Sequence, residues 1–207
     1  MHLDPPADLV ARANADGVNA RGDAPEGLTL VAGFLPSERQ AELLDRVDAS
    51  PWRTDLKRRV QHYGWRYDYR TRRVAASDRI GPLPDWLMPV AGRLASDGWF
   101  DAPPTQAIVN EYEPGQGIAA HVDCEPCFGD TIASLSLGGR CVMTLRKRDG
   151  GGRCDLVLEP GSLLVLRGPA RYAWTHEIAA RKSDVIGGVR HPRERRVSVT
   201  FRTVTPA

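Results

Sequence analysis

The sequence has no run of about 18 apolar residues, the length a membrane-spanning helix needs. Its mean hydropathy is -0.37, and no spanning segment is expected. The first residues, Met1-His2-Leu3-Asp4-Pro5, lack a basic stretch followed by an apolar one. No secretory signal is expected there, and the default location is cytoplasmic. Cysteine is scarce, with four residues at Cys124, Cys127, Cys141 and Cys154. One C-x-x-C pair is half of a closed zinc site, and no second pair at zinc spacing follows. Four reduced thiols are the expectation. No internal repeat or low-complexity tract appears. The formal net charge is only +2, too small to argue by itself for nucleic acid. What the chain does have is 207 residues, of which 42% are apolar. That is enough for the core of one domain and excludes wholesale disorder.

Charge is distributed more tellingly than its total. Residues 1–50 carry four arginines against nine acidic residues. Residues 53–73 carry eight lysines and arginines against Asp55 and Asp68. Residues 167–196 carry eight against Glu177, Asp184 and Glu194. Such asymmetry fits a local polyanion-binding face. In the first basic stretch, aromatic residues interleave with the cations. Its candidates for substrate contact are Arg58, Arg59, His62, Tyr63, Trp65, Tyr67, Arg72 and Arg73, because extruded bases stack on aromatic faces while cations hold phosphate. The alternation of Tyr67, Tyr69 and Thr71 with charged residues suits a strand or hairpin arm. A charged surface hairpin is the plain alternative.

Residues 1–27 show no sustained period and are expected to form a flexible tail. Leu28–Val31 is a short apolar run that suits a strand. A helix should follow, with Ser37 as N-cap and Ala41, Leu43, Leu44 and Val47 on its apolar face. A second helix over 84–98 would pack Trp86, Leu87, Val90 and Leu94. From Thr105 onward, short strands are expected at 106–112, 131–137, 141–146, 155–158, 162–167, 174–178 and 196–204. Many short strands with a few early helices predict an α+β, mainly β fold, either a barrel or a double-sheet jelly roll, with the helices packed outside.

His121-Val122-Asp123 is the first pointer to chemistry. On a strand, positions i and i+2 share a face, so an imidazole and a carboxylate can converge on one ion. A distant His176 would complete two histidines and a carboxylate, the facial triad of non-haem iron oxygenases. The second pointer is Arg196-Val-Ser-Val-Thr-Phe-Arg202. Arg196, Ser198, Thr200 and Arg202 face one way, and Val197, Val199 and Phe201 the other. Buried arginines need anionic partners, and a dicarboxylate cosubstrate would supply them. Asn110 and Tyr112 share a face on the strand before the metal motif.

Five motifs occur in the order found in the AlkB family, which the chain resembles from about residue 28 to 204. They are Asn110-Glu-Tyr112, His121-Val-Asp123, Ile132-Ala-Ser134-Leu-Ser136-Leu-Gly138, Arg171-Tyr-Ala-Trp174-Thr-His176 and Arg196-x5-Arg202. The resemblance implies a double-stranded β-helix in one domain over 28–207, with residues 51–80 as a β-rich nucleotide-recognition lid. It implies a monomeric dioxygenase that uses Fe(II), 2-oxoglutarate and O2 to oxidise alkylated or modified nucleic-acid bases, by oxidative dealkylation of the DNA or RNA repair type. His121, Asp123 and His176 would hold the iron. Arg196 and Tyr112 would hold the distal carboxylate of 2-oxoglutarate. Asn110, Arg202 and Ser198 would complete that pocket, with Asn110 and Arg202 at the keto-acid end or orienting their neighbours. Gln61-His-Tyr-Gly64, Gln116-Gly-Ile118 and Leu135-Ser-Leu-Gly138 are most similar to the branch that hydroxylates a tRNA wobble uridine. The RNA-binding and methyltransferase domains of that branch are not within these 207 residues, and Ser198 stands where the founding AlkB pattern has asparagine. The alternatives are wobble-uridine hydroxylation, a peptide or small-molecule hydroxylase on the same scaffold, and a metal-loaded binding module without turnover.

Overall fold

The computed structural model describes residues 20–21, 24–54 and 56–205. In chain order the elements are β1 (Ala20–Arg21), β2 (Leu28–Val31), α1 (Ser37–Asp48), β3 (Val60–Tyr63), α2 (Met88–Ser96), β4 (Gln106–Tyr112), β5 (Ile118–His121) and β6 (Phe128–Gly138). They continue with β7 (Cys141–Lys147), β8 (Arg153–Leu158), β9 (Leu163–Leu166), α3 (Gly168–Tyr172), β10 (Trp174–Ile178), β11 (Ser183–Ile186), β12 (Val189–Pro192) and β13 (Arg196–Val204). One six-stranded sheet has the order β2-β9-β6-β13-β4-β3, and a five-stranded sheet the order β1-β8-β7-β10-β5. Pairing is antiparallel throughout, and β11 and β12 form a separate hairpin. The architecture is a jelly roll.

Strict alternation in β13 gives it one apolar and one polar face. Val197, Val199 and Phe201 are fully buried and pack with Val109, Leu135, Leu43, Val47, Leu87 and Leu94, joining the large sheet to α1 and α2. A second cluster lies between the sheets, where Ile132, Leu164 and Leu166 of the large sheet meet Met143, Leu145 and Leu156 of the small one. Burying each such side chain contributes about 1.5–3 kcal/mol. The polar face of β13 is therefore left to line the space between the sheets.

Several expectations need correction. Ser37 is the first helical residue, and Pro36 occupies the cap position without a side-chain hydrogen bond. Only Leu43 and Val47 of α1 are buried, while Ala41 is exposed, because the contacting stripe is narrow. The second helix is shorter than expected and starts at Met88. Residues 64–75 are not a regular strand. Only the isolated bridges Trp65–Arg79 and Asp68–Arg73 occur there, because the Asp68 carboxylate accepts the N–H groups of Arg70 and Thr71 and closes a turn. The strands β3, β5, β11 and β12 had no sequence expectation of their own. Cys124 and Cys127 are joined by a disulfide, so the expectation of four reduced thiols fails; Cys141 and Cys154 are buried outside that bond. Of the expected tail, residues 1–19 and 22–23 lie outside the described residues, and Ala20–Arg21 pair with Leu156 and Asp155 of β8. No helix among the described residues is long and apolar enough to cross a membrane.

Candidate active site

β5 and β10 are neighbours, and their pairing sets His121 directly opposite His176. The two rings lie 4.3 Å apart, centroid to centroid. Asp123 sits just beyond the end of β5, so the chain leaves the strand before the carboxylate turns in. The ligand atoms of His121, Asp123 and His176 all fall within 4.8 Å of one another. Among the described residues this is the one group of three or more such side chains that could hold a metal ion. Nδ1 of His121 donates to the Ala119 carbonyl at 2.8 Å, which leaves its Nε2 lone pair for a metal. Burial, helped by His121 nearby, pushes the His176 pKa down to about 4. At neutral pH that imidazole is uncharged and able to ligate. Burial alone would raise the Asp123 pKa, but Arg202, His176 and His121 hold it well below the usual carboxylate range. Nε of Arg202 donates to Asp123 Oδ2 at 3.0 Å and orients it.

A cavity of about 780 Å³ opens over the triad. Asn110, Tyr112, Arg196, Ser198 and Arg202 all line it, brought together by the β13–β4 register, which sets Arg196 opposite Tyr112 and Ser198 opposite Asn110. Arg196 is 2% exposed. One of its terminal nitrogens donates to Ser136 Oγ at 3.0 Å, while its Nε is buried with no partner. An unpaired buried guanidinium nitrogen beside a cavity is a poor apo-state arrangement and a good carboxylate receptor. Two imidazoles with one carboxylate form the donor set of non-haem Fe(II) oxygenases. The residues present thus fit both iron and 2-oxoglutarate.

The basic aromatic stretch divides. Arg58, Tyr67 and Arg72 line the cavity, together with Lys57 and Tyr69. Nε of Arg58 donates to Asn110 Oδ1 at 2.9 Å, and its guanidinium lies 5.9 Å from the Tyr69 ring and 5.9 Å from the Tyr112 ring. Tyr67 meets Tyr69 edge-on at 5.0 Å. Burial pushes the Tyr69 pKa up to about 12, so its hydroxyl stays protonated. The other candidates lie elsewhere. His62 and Tyr63 line a separate depression, although His62 Nε2 contacts the Tyr69 hydroxyl at 3.2 Å. Trp65 packs against the inter-sheet core. Arg59 is bound to Glu111, and Arg73 is exposed. Sequence reasoning passed over Arg171 and Gln106 as site residues. Arg171 is 2% exposed and donates to the carbonyls of Asp123 at 2.9 Å and Cys124 at 3.3 Å. It sits in a five-residue helix, where no alternation marks it. Gln106 accepts from Arg202 at 3.4 Å; only the β13–β4 register, which sets it opposite Arg202, marks it.

Residues 27–202 match the 2OG-Fe(II) oxygenase superfamily. The chain belongs to that superfamily. The oxygenase is 38% identical over 201 residues to "Alkylated DNA repair protein ALKBH8 homolog" of Arabidopsis thaliana, covering 86% of this chain and 58% of that protein. It is 37% identical over 167 residues to the Xenopus tropicalis "tRNA (carboxymethyluridine(34)-5-O)-methyltransferase alkbh8", covering 78% of this chain but 26% of that protein. Its relatives are thus AlkB homologues, and it spans only part of these two. Among solved structures, "The structure of OsALKBH1" superposes with a TM-score of 0.66 at 17% identity, covering 89% of this chain and 99% of that one. At that identity the likeness supports the jelly-roll fold alone. As a member of this superfamily the protein is an oxidoreductase whose reaction uses Fe(II), 2-oxoglutarate and O2.

Proposed function

We propose that this oxygenase hydroxylates an alkylated or modified nucleic-acid base. The observation that carries the reading is the composition of the cavity wall: Lys57, Arg58 and Arg72 stand with Tyr67 and Tyr69 above the triad. Cations that face the cavity suit a phosphate backbone. Two edge-packed phenols suit a flat, extruded base, whose stacking on one aromatic is worth about 1–3 kcal/mol. The names of the Arabidopsis and Xenopus relatives support a nucleic-acid substrate. The Xenopus name, together with Gln61-His-Tyr-Gly64, favours a second reading, hydroxylation at a modified uridine of tRNA.

In this reading His121, Asp123 and His176 hold iron, with Arg202 fixing the Asp123 carboxylate and Arg171 its backbone. Arg196 and Tyr112 bind the distal carboxylate of 2-oxoglutarate. Asn110, Ser198 and Arg202 border the rest of the pocket. When bound, iron and 2-oxoglutarate supply, with O2, the oxidising power that puts an oxygen atom into a substrate C–H bond, leaving succinate and CO2. Tyr69, kept protonated and contacted by His62, shapes the aromatic wall, and Arg58 ties the segment to Asn110.

The test is anaerobic loading with Fe(II) and 2-oxoglutarate, then O2, over a panel of methylated, etheno and wobble-modified oligonucleotides read by mass spectrometry. Substrate-stimulated succinate release with a gain of oxygen, or loss of a methyl as formaldehyde, is expected on at least one oligonucleotide. Succinate release that no oligonucleotide stimulates would move the reading to a peptide or small-molecule substrate.

A further inference from the structure

The Cys124–Cys127 disulfide is not used by the chemistry above, yet it lies against that site. Cys124 directly follows the ligand Asp123 in sequence and lines the cavity, with 7% of it and 4% of Cys127 exposed. The sulfurs of Cys124 and Cys127 lie 3.2 and 3.5 Å from one atom, the carbonyl oxygen of Arg72. Arg72 is the one non-glycine residue with positive φ among the described residues, at 54°, and closes the turn Asp68–Arg73 by donating its N–H to the Asp68 carbonyl at 2.8 Å. Val74, two residues after Arg72, is anchored in the inter-sheet core. Arg72 and Tyr67 both line the cavity. A single peptide carbonyl thus connects the cysteine pair to the aromatic wall of the cavity.

A disulfide has no hydrogen to offer that carbonyl. Two thiols have one each, and a carbonyl oxygen has two lone pairs to receive them. We propose that Cys124 and Cys127 are a redox-active dithiol–disulfide site, reduced by small dithiols and oxidised by peroxides, whose reduced form fastens the turn Asp68–Arg73 to the cavity wall through the Arg72 carbonyl. Reduction transfers two electrons and two protons from the external dithiol: one of its sulfurs attacks and breaks the protein S–S bond, and its second sulfur displaces the other cysteine as the cyclic disulfide leaves. Oxidation by hydrogen peroxide removes both thiol hydrogens, forms the S–S bond and releases two waters. A C-x-x-C pair that switches in this way is the usual role of a disulfide in a reducing compartment. No zinc competes for the pair, because neither cysteine belongs to a metal-binding group among the described residues. Arg171 holds the carbonyls of Asp123 and Cys124, so the change is expressed in the turn and not at the iron ligand.

The experiment uses the 207-residue chain, metal-free, treated with dithiothreitol or hydrogen peroxide and desalted. Maleimide labelling followed by peptide mass spectrometry should show Cys124 and Cys127 labelled after reduction and linked, two hydrogens lighter, after oxidation. Hydrogen exchange at amides 66–73 should be severalfold slower in the reduced protein, with exchange in β13 unchanged. Cys127→Ser cannot close the bond and keeps a donor, so it should show slow exchange after both treatments. Cysteines that label alike after both treatments would overturn the proposal, as would a disulfide that forms and reverses with no change at 66–73. Neither readout involves a substrate, so the proposal stands or falls apart from the nucleic-acid reading.

Discussion

Replacing Arg196 by methionine separates what this residue does for binding from what it does for stability. In the free protein its Nε is buried and unpaired, and a hydrogen bond to Ser136 and the Tyr112 ring 5.5 Å away partly offset the desolvated charge. An unsatisfied buried donor costs about 1–3 kcal/mol, whereas one ordinary hydrogen bond contributes about 1 kcal/mol. Methionine fills similar volume without a donor. The ligand-free variant should therefore be as stable as the parent, or more so. Binding should move the other way. Losing one side of a buried, hydrogen-bonded charge pair costs roughly 2–5 kcal/mol, which weakens 2-oxoglutarate by about 30- to 5,000-fold. Ligand at about 100 times Kd stabilises the parent by roughly 2.7 kcal/mol. A 100-fold weaker variant at that concentration would gain only about 0.4 kcal/mol. For a chain of this size the lost shift is about 5–9 °C in Tm. Thermal unfolding of the manganese-loaded protein, with and without N-oxalylglycine or 2-oxoglutarate, measures both terms. A ligand-free variant destabilised by several kcal/mol, or one that keeps the full ligand shift, would refute the reasoning. Arg196→Lys should recover part of the shift, since an ammonium carries the charge but not the fork.

Four further outcomes follow from the geometry. His176→Ala removes one of three metal ligands and should abolish succinate formation; full turnover by this variant would sink the triad. Gly117→Ala would place a Cβ 2.1 Å from the Ile178 carbonyl oxygen, prising apart the β5–β10 pairing that opposes the two histidines, with about 1–3 kcal/mol lost in stability; isothermal titration with Mn(II) should show weaker binding. Burial alone would raise the Glu111 pKa, but hydrogen bonds from Arg59 and Arg195 lower it. A depressed folded pKa gives stability that is complete above the unfolded value of about 4.3 and is lost as pH falls through the folded one, so Glu111→Gln should be less stable than the parent by about 2 kcal/mol at pH 7, and urea unfolding should find the difference shrinking as pH falls below the unfolded value. Replacing Lys57, Arg58 and Arg72 by alanine should weaken oligonucleotide binding and flatten its salt slope, whereas replacing Arg59 and Arg73 should change the slope little; filter binding at several salt concentrations distinguishes the two sets.

The sequence by itself determined what depends on short-range pattern. Alternation in 196–202 assigned one face of β13 to the core and the other to a polar interior, and the packing of Val197, Val199 and Phe201 against α1 and α2 agrees. Residue types at His121, Asp123 and His176 named a donor set, and ordered motifs named a cosubstrate. Tertiary structure alone decided who meets whom. His121 and His176 are 55 positions apart (121 to 176), and only the antiparallel pairing of β5 with β10 opposes them. In 53–73 composition could not separate cavity residues from surface ones, because cations and aromatics are spread through the whole stretch. Alternation holds for Tyr67 and Tyr69, whereas the closed turn at Asp68 and the positive φ of Arg72 end it and bring exposed Arg72 to the cavity rim. Glu111 captures Arg59 from across the β3–β4 edge, and Arg171 works from a helix too short to carry a period. Local periodicity encodes which face of an element is apolar; the partner on that face is set by strand order and register, which are properties of the whole chain.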